Sequence, residues 1–215
     1  MTMTNTGTVT APLVAAIEAA WRAIQTRHQD VPEVVVTLGS GSARNGMTLG
    51  HFAPNRWARG DETVHELFVG GEGLQRGGEA VLGTLIHEAA HGAAQTRGIK
   101  DTSRQGRFHN QKFKAIGEEF GLSLEKHDSI GWSLTTVPPA TAARYAAEVA
   151  MLDAALVAYR LVELGGSEGK KKTSNGVVAL CDCGRKIRLS QSVLDLGPIV
   201  CGVCDAEFQP EDDGE

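Results

Sequence analysis

The sequence predicts an α+β fold in which one apolar helix packs on a small β-sheet, followed by a helical linker and a small cysteine-rich module. Three observations lead to this prediction. A histidine–glutamate motif lies in an alanine-rich run over residues 78–96, short β-branched runs precede it, and all four cysteines follow residue 180 in two close pairs. A chain of 215 residues has room for one good-sized domain and one small module.

Composition excludes several classes of protein. The apolar share of 41% is enough for a globular core, and a net charge of −5 excludes a uniformly basic, nucleic-acid-binding surface. The chain has no run of 18 apolar residues, so no membrane span is expected. Residues 1–10 lack the basic start and apolar core of a secretion signal. We therefore expect a cytoplasmic protein. In that reducing compartment the cysteines are expected to bind metal rather than to form disulfides.

The first predicted element is an amphipathic helix. Residues 1–10 are polar and threonine-rich and are expected to be a disordered lead. Pro12 fits a first helical turn, where no N–H donor is needed. Apolar residues then recur at helical spacing up to about Arg27, namely Leu13, Ile17, Trp21 and Ile24. This stripe predicts that one face of the helix is buried.

Three short strands are predicted next, over residues 34–38, 47–53 and 66–69. A polar turn around residues 59–62 separates the second from the third. An edge strand running above a metal-bearing helix can pair with an extended peptide and hold it across the metal. Alternatively, these strands only cover one side of the core.

The helix over residues 78–96, with Gly98 as its cap, carries the sequence His87-Glu88-Ala-Ala-His91. Histidines at positions i and i+4 lie on one helix face and can hold one metal ion. A carboxylate beside them, Glu88, is the general base of zinc hydrolases with this motif. The flanks are apolar nearly all round, so the helix is expected to be buried, where ionisable groups need partners.

A catalytic zinc usually has three protein ligands and one open position. The extended motif with a third histidine six residues after the second is excluded, because Arg97 occupies that position and Ala94 replaces its glycine. Another class of zinc enzymes takes a glutamate from a following helix. Glu118 and Glu119 are the candidates of that kind.

His109 is the better candidate for the third ligand. A helix is predicted over residues 109–120, and Gly121 is placed to end it. His109 lies four residues before Phe113 and seven before Ile116, so it shares their apolar face. Glu118 falls on the opposite face and Glu119 to the side. Periodicity therefore favours His109, with a capping or surface histidine as the alternative.

The motif around His87 and His91, the glycine-containing loop, and His109 followed by Phe113 together resemble the SprT-like metalloprotease family. The stretches Gly50-His51-Phe52, Trp57 and Glu66-Leu67-Phe68-Val69 are also similar to that family's strands. The resemblance covers roughly residues 11–135, and with the C-terminal cysteines it matches a bacterial member that carries a zinc ribbon.

The resemblance implies a zincin-like protease domain in which His87, His91 and His109 bind a catalytic Zn²⁺ and Glu88 is the catalytic base. The substrate would be a protein. The family includes Spartan-type proteases that digest proteins crosslinked to DNA, and its members commonly pair the protease with a DNA-directed segment. DNA is therefore an expected partner, which would place the protein at the nucleoid.

Other polar features have ordinary interpretations. The connection over residues 100–107 is a mobile lid, a nucleic-acid-sensing loop or a solvated link. No role is assigned to Tyr145 or Tyr159. Four further histidines have no partner at ligand spacing and are expected to be structural or at the surface: His28, His51, His65 and His127.

The second half of the chain begins at Pro138 with a long predicted helix over residues 142–164, whose apolar stripe docks on the first domain or pairs with another chain. Residues 165–172 form a flexible linker that ends in Lys170, Lys171 and Lys172.

Four cysteines, Cys181, Cys183, Cys201 and Cys204, suit a tetrahedral structural Zn²⁺ in a zinc ribbon. A module of about 40 residues buries little core, so metal binding would supply its folding energy. The first pair is C-x-C rather than the usual C-x-x-C, and unliganded cysteines or disulfides are the alternative. Basic residues around this segment favour contact with DNA phosphates, whereas the acidic end over residues 211–215 opposes it.

The predicted organisation has four parts: the lead over residues 1–10, a protease domain over 11–137, a helix and basic linker over 138–172, and a zinc ribbon over 173–215. The expected function is a zinc-dependent endopeptidase, with one catalytic and one structural zinc ion. The alternative is a non-catalytic nucleic-acid-binding protein with a vestigial metal site. A vestigial site has no need of Glu88, so its presence favours the enzyme.

Overall fold

The structure is a computed structural model that describes residues 8–43, 46–162 and 176–211. It divides into two compact units, Met1–Leu164 and Gly165–Glu215. The predictions for most of the lead, for the three linker lysines and for most of the acidic end fall outside the described residues. The first unit is a mixed α and β structure with small sheets, and the second contains a four-cysteine cluster.

The first unit combines helices with three small sheets. In chain order its elements are α1 (Thr10–Arg27), β1 (Val34–Gly39), β2 (Ser42–Ala43), β3 (Gly46–Met47), β4 (Gly50–Arg59), β5 (Glu62–Gly70), a 3-10 helix (Gly71–Arg76), α2 (Gly78–Thr96), β6 (Thr102–Ser103), β7 (Phe108–His109), α3 (Gln111–Glu119), β8 (Ser123–His127), β9 (Gly131–Thr136), α4 (Pro139–Arg144) and α5 (Ala146–Ala155).

The first sheet has the strand order β1-β5-β4, with β1 parallel to β5 and β4 antiparallel to it. The predicted strand over residues 47–53 is wrong in its bounds, because β3 ends at Met47 and β4 starts only at Gly50 and continues to Arg59. A tight turn at Gly60 (φ 61°) and Asp61 joins β4 to β5. This connection makes a long hairpin whose outer strand, β4, lies at the sheet edge.

The buried core forms between α1, α2 and the inner face of the first sheet. α1 buries the predicted stripe of Leu13, Ile17, Trp21 and Ile24. The predicted bounds of the motif-bearing helix are confirmed, and α2 is the most buried helix of the unit because its alanines and glycines allow close approach on several sides. It ends where Gly98 takes a positive φ of 64°.

A buried carboxylate holds the turn that follows β1. Glu72, in the 3-10 helix, accepts hydrogen bonds from the backbone N–H of Gly41 (2.7 Å) and from the Ser42 hydroxyl (2.6 Å). The Ser42 hydrogen bond, with further backbone N–H donors, lowers the pKa of Glu72 to about 2. Arg160 lies 3.3 Å from the same carboxylate. The chain beyond α5 is thus tied back to this turn.

The long helix predicted over residues 142–164 is wrong. Two short helices, α4 and α5, replace it, with a break at Tyr145 and an end at Leu156. Tertiary contacts explain the difference, because the N–H of Arg160 donates to the carbonyl of Gly71 instead of to its own helix. α5 packs against α1 and α2, so this stretch is part of the first unit, and Tyr145 is fully buried there.

The second unit is a small sheet built around the cysteines. Its elements are β10 (Val177–Leu180), β11 (Lys186–Leu189), α6 (Gln191–Leu194) and β12 (Gln209–Pro210), with the strand order β11-β10-β12. Among residues 176–211, the buried ones are Ala179, Cys181, Cys201 and Phe208. Among the helices that the structure describes in both units, none is long and apolar enough to cross a membrane.

Candidate metal centre

Three imidazoles meet beside α2. His87 and His91 project from one face of that helix, and the Nε2 atom of His109 lies 3.2 Å from the Nε2 of His87 and 3.0 Å from that of His91. Phe113 packs against all three rings, with ring centroids 4.5–4.7 Å apart. The structure thus brings together the three histidines that the sequence singled out.

His109 reaches this position from a strand. The helix predicted from residue 109 starts instead at Gln111, because the side chain of Asn110 caps it by accepting the N–H groups of Lys112 (2.8 Å) and Phe113 (3.3 Å). The backbone N–H of His109 donates to the carbonyl of Ile130, which holds β7 beside β9. The predicted helical placement of His109 is therefore wrong, although its inward direction is right.

The outer nitrogen of each ring has an oxygen partner. Nδ1 of His91 lies 2.5 Å from the carboxylate of Asp101, and Nδ1 of His109 lies 3.3 Å from the carbonyl oxygen of Ile130. Both oxygens only accept hydrogen bonds, so these rings carry their proton on Nδ1. Nδ1 of His87 lies 3.3 Å from the Thr135 hydroxyl, which is able to accept as well. Hydrogen bonds of this kind fix the orientation of metal-binding histidines.

This donor set fits a metal cation. With each proton on Nδ1, three Nε2 lone pairs point at one another across about 3 Å, an arrangement that a shared positive ion would stabilise. Burial lowers the pKa of His87 well below its ordinary value, and burial lowers the pKa of His109 to about 4. Both rings are therefore neutral near pH 7, as metal ligands must be.

Glu88 occupies the adjoining position on α2. It is only 5% exposed, and its carboxylate accepts a hydrogen bond of 2.8 Å from the backbone N–H of Phe52 on β4. Burial raises the pKa of Glu88 above its ordinary value, which makes the carboxylate a stronger base. Its partner on the edge strand fixes its direction next to the three histidines.

The three histidines and Glu88 line an open cleft of about 1120 Å³. Residues from β4, including Gly50 and Phe52, form one wall, and residues from β9, including Thr135, form the other. The N-terminal half of α2 continues the floor beyond His87. A cleft of this size and openness has room for an extended stretch of peptide.

The competing ligand candidates lie elsewhere. Glu118 pairs with Lys114 at 3.1 Å and Glu119 with Arg97 at 2.6 Å, and neither lines the cleft. The other four histidines make separate contacts: His28 stacks on Phe120, His51 pairs with Glu66, His65 accepts the N–H of Asn55, and His127 accepts the N–H of Ser129. Of these four, only His51 lines the cleft, and none joins the three-histidine group.

Sequence reasoning missed Asp101 and Thr135. Asp101 lies in a polar connection ten residues after His91, and Thr135 lies in a strand, so neither position has a spacing signal. The connection over residues 100–107 contains β6, which pairs with β7 and brings Asp101 to His91. Part of the connection that was predicted to be a lid, a nucleic-acid-sensing loop or a solvated link thus orients His91 through Asp101.

We expect Asp101→Asn to weaken Zn²⁺ binding at the histidine group about 10- to 100-fold. The reason is that a neutral amide replaces the charged carboxylate that accepts the Nδ1–H of His91 and orients its ring. Competition with a chromophoric chelator measures this affinity. Asp128→Asn, at an exposed turn, is the matched control and should leave the affinity unchanged. Equal affinities in the native chain and in Asp101→Asn would contradict the assigned role of Asp101.

The second unit brings its four cysteines together. The Sγ atoms of Cys181, Cys183, Cys201 and Cys204 all lie within 4.8 Å of one another, and none forms a disulfide. Four Zn–S bonds of about 2.3 Å in a tetrahedron require similar separations. The short C-x-C pair joins the group because Gly184 takes a positive φ of 79° and donates its N–H to the carbonyl of Cys181.

Backbone donors prepare one of these thiols for metal binding. The N–H groups of Val203 and Cys204 lower the pKa of the Cys201 thiol to about 6. A thiolate is the form that binds metal, so the Cys201 thiol needs little further deprotonation near pH 7. The cysteine cluster, like the histidine group, could hold a metal ion.

Comparison with known proteins finds no match: no family model, no curated protein and no solved structure matches the chain. The chemistry of the two centres is therefore inferred from their own residues.

Proposed function

We propose that the chain is a zinc-dependent endopeptidase of the SprT-like type, with a zincin-like catalytic domain in the first unit and a zinc ribbon in the second. One observation carries the proposal: three imidazole nitrogens converge beside a buried carboxylate at the floor of an open cleft. Two histidines, a third histidine and a glutamate are the residue types that zinc-assisted peptide hydrolysis requires.

Each residue has a role in this reaction. Zinc bound by His87, His91 and His109 would supply Lewis acidity, which lowers the pKa of water and polarises a carbonyl. Glu88 takes a proton from the attacking water and passes it to the amine that leaves. The Phe52 N–H keeps the carboxylate aimed at that water, and its raised pKa suits both steps.

The substrate is proposed to be a protein chain held in extended form. β4 lies at the sheet edge along one wall of the cleft, and an edge strand offers unpaired backbone groups to a peptide. Proteins bound or crosslinked to DNA are the proposed targets, on the strength of the family resemblance. DNA would be contacted through the linker lysines and through basic residues of the second unit, such as the exposed Arg188.

Metal removal tests the proposal. We expect the zinc-loaded chain to cleave an unfolded protein substrate, and removal of metal from the histidine group to lower the rate at least about 100-fold. Adding back Zn²⁺ should restore the rate, with and without single-stranded DNA. A metal-free chain that cleaves at the rate of the loaded chain would reject zinc-dependent hydrolysis. If neither the zinc-loaded nor the metal-free chain cleaves the substrate, the result favours the alternative of a non-catalytic, nucleic-acid-binding protein.

A further inference from the structure

One cation in the cleft has no anionic partner. Arg76, at the end of the 3-10 helix, lines the cleft and donates from Nε to the carbonyl of Gly73 (3.1 Å) and from Nη2 to the Thr84 hydroxyl (2.8 Å). In residues 8–43, 46–162 and 176–211, no carboxylate forms an ion pair with it. A guanidinium has five N–H donors in a planar fork, so two known acceptors leave most of its donors for a ligand.

Its position is fixed close to the proposed catalytic base. Thr84, which accepts from Arg76, lies one helical turn before Glu88 on the cleft face of α2, a rise of about 5.4 Å. The backbone of Gly50 lies directly over both residues, since a Cβ there would come within 2.7 Å of Thr84 Cγ2 and 3.2 Å of Glu88 Cγ. Arg76, Thr84 and Glu88 therefore follow one another along the cleft.

The floor beside Arg76 is built from small residues. Ala80, Gly83, Thr84 and His87 follow each other along the cleft face of α2. The Val137 side chain packs directly on Gly83, since a Cβ there would come within 2.9 Å of Val137 Cγ2. Val137 thus bounds the cleft on this side, and the short side chains of Ala80 and Thr84 beside Arg76 leave room for a substrate side chain that ends in a negative charge.

The remaining donors of this cation are accessible from the cleft. Arg76 lines the cleft and is exposed, although neighbouring atoms partly desolvate its guanidinium and lower its pKa. A planar guanidinium matches the two oxygens of a carboxylate with two parallel hydrogen bonds. Arg76 is thus suited to bind one negatively charged group of a bound peptide.

We propose that Arg76 binds a carboxylate of the substrate, one or two residues from the bond that is cleaved. The offset follows from the 5.4 Å helical rise and from the rise of about 3.3 Å per residue in an extended peptide. Two sources supply this chemistry, an Asp or Glu side chain and a free C-terminus. The proposal rests on the proposed peptidase function, and it predicts a preference for a carboxylate at one position of the substrate.

Binding to a chain that does not turn over tests this site separately from catalysis. In a zinc-loaded Glu88→Gln background, fluorescence anisotropy compares amidated peptides that differ only by Glu or Gln at each central position. We expect the best Glu peptide to bind about 10-fold more tightly than its Gln partner, and Arg76→Gln to bring that ratio close to one. Arg76→Lys should give an intermediate ratio, because it keeps the charge and loses the fork.

Control variants and peptides separate the outcomes. Arg22→Gln, on the exposed side of α1, should keep the native ratio. A Gln peptide with a free C-terminus is compared with its amidated form. If the free C-terminus raises the affinity, and Arg76→Gln removes that gain, the bound carboxylate is the C-terminal one. The proposal is overturned if the Glu and Gln peptides bind equally, or if no peptide binds. It is also overturned if Arg76→Gln keeps the Glu/Gln affinity ratio, or if that variant loses only oligonucleotide binding. If the ratio holds and the native chain cleaves nothing, only the peptidase function fails.

Discussion

Glu88→Gln is expected to slow peptide hydrolysis by about 10³-fold while zinc stays bound to the histidines. A positioned general base typically contributes 10²–10⁴ in rate, and an amide cannot take the proton from water. Glutamine keeps the size of the side chain and can still accept the Phe52 N–H through its carbonyl oxygen. The rate on an unfolded protein substrate and the zinc content of the purified variant are the two measurements.

Glu118→Gln is the matched control for this variant. Glu118 lies on α3 outside the cleft, and its surface pair with Lys114 contributes little stability, so the control should keep the native rate. Because Glu118 was also a candidate ligand in the sequence, unchanged zinc content in the control would support the third-histidine assignment. Equal rates for the native chain and Glu88→Gln would remove Glu88 from the proposed mechanism.

Cys201→Ser is expected to unfold the second unit. In the described part of that unit only four residues are buried, and two of them are cysteines of the cluster, so the apolar core there is small. Metal binding to sites of this kind contributes roughly 10–16 kcal/mol to folding. We expect zinc content to fall from two ions per chain to one, and residues 176–211 to become sensitive to limited proteolysis.

Val203→Ser serves as the control in the same knuckle. Val203 lies between Cys201 and Cys204 and is 72% exposed, so its replacement removes neither a ligand nor core packing. The control should keep both zinc ions and its resistance to proteolysis. A Cys201→Ser chain that remains folded with two bound ions would contradict the ribbon. Peptide hydrolysis by the first unit should persist in both variants, since its residues are separate from the cluster.

Local sequence patterns predicted the elements whose geometry is set within a few residues. The bounds of α2, the shared face of His87 and His91, and the positive φ at Gly98 follow from helical spacing and glycine chemistry alone. The two cysteine knuckles are local in the same sense. The helical spacing of apolar residues and the short β-branched runs likewise predicted the mixed α and β class of the chain.

Long-range contacts explain where the predictions were wrong. The helix over residues 142–164 was expected from its apolar stripe, but Arg160 bonds to Gly71 and pairs with Glu72, almost ninety residues earlier in the chain. His109 was expected on a helix, but strand pairing with β9 and the Asn110 cap place it before α3. Helical periodicity carries no information about such partners.

The sequence by itself therefore determined the motif-bearing helix, two of the three imidazoles, the carboxylate beside them and the cysteine knuckles, because residues within one turn keep a fixed separation in any fold. Only the tertiary structure decided how His109 approaches, that Asp101 holds His91, and that Arg76 donates to Thr84, one turn before Glu88. These relations depend on how separate elements pack and pair. Spacing along the chain does not specify such distances.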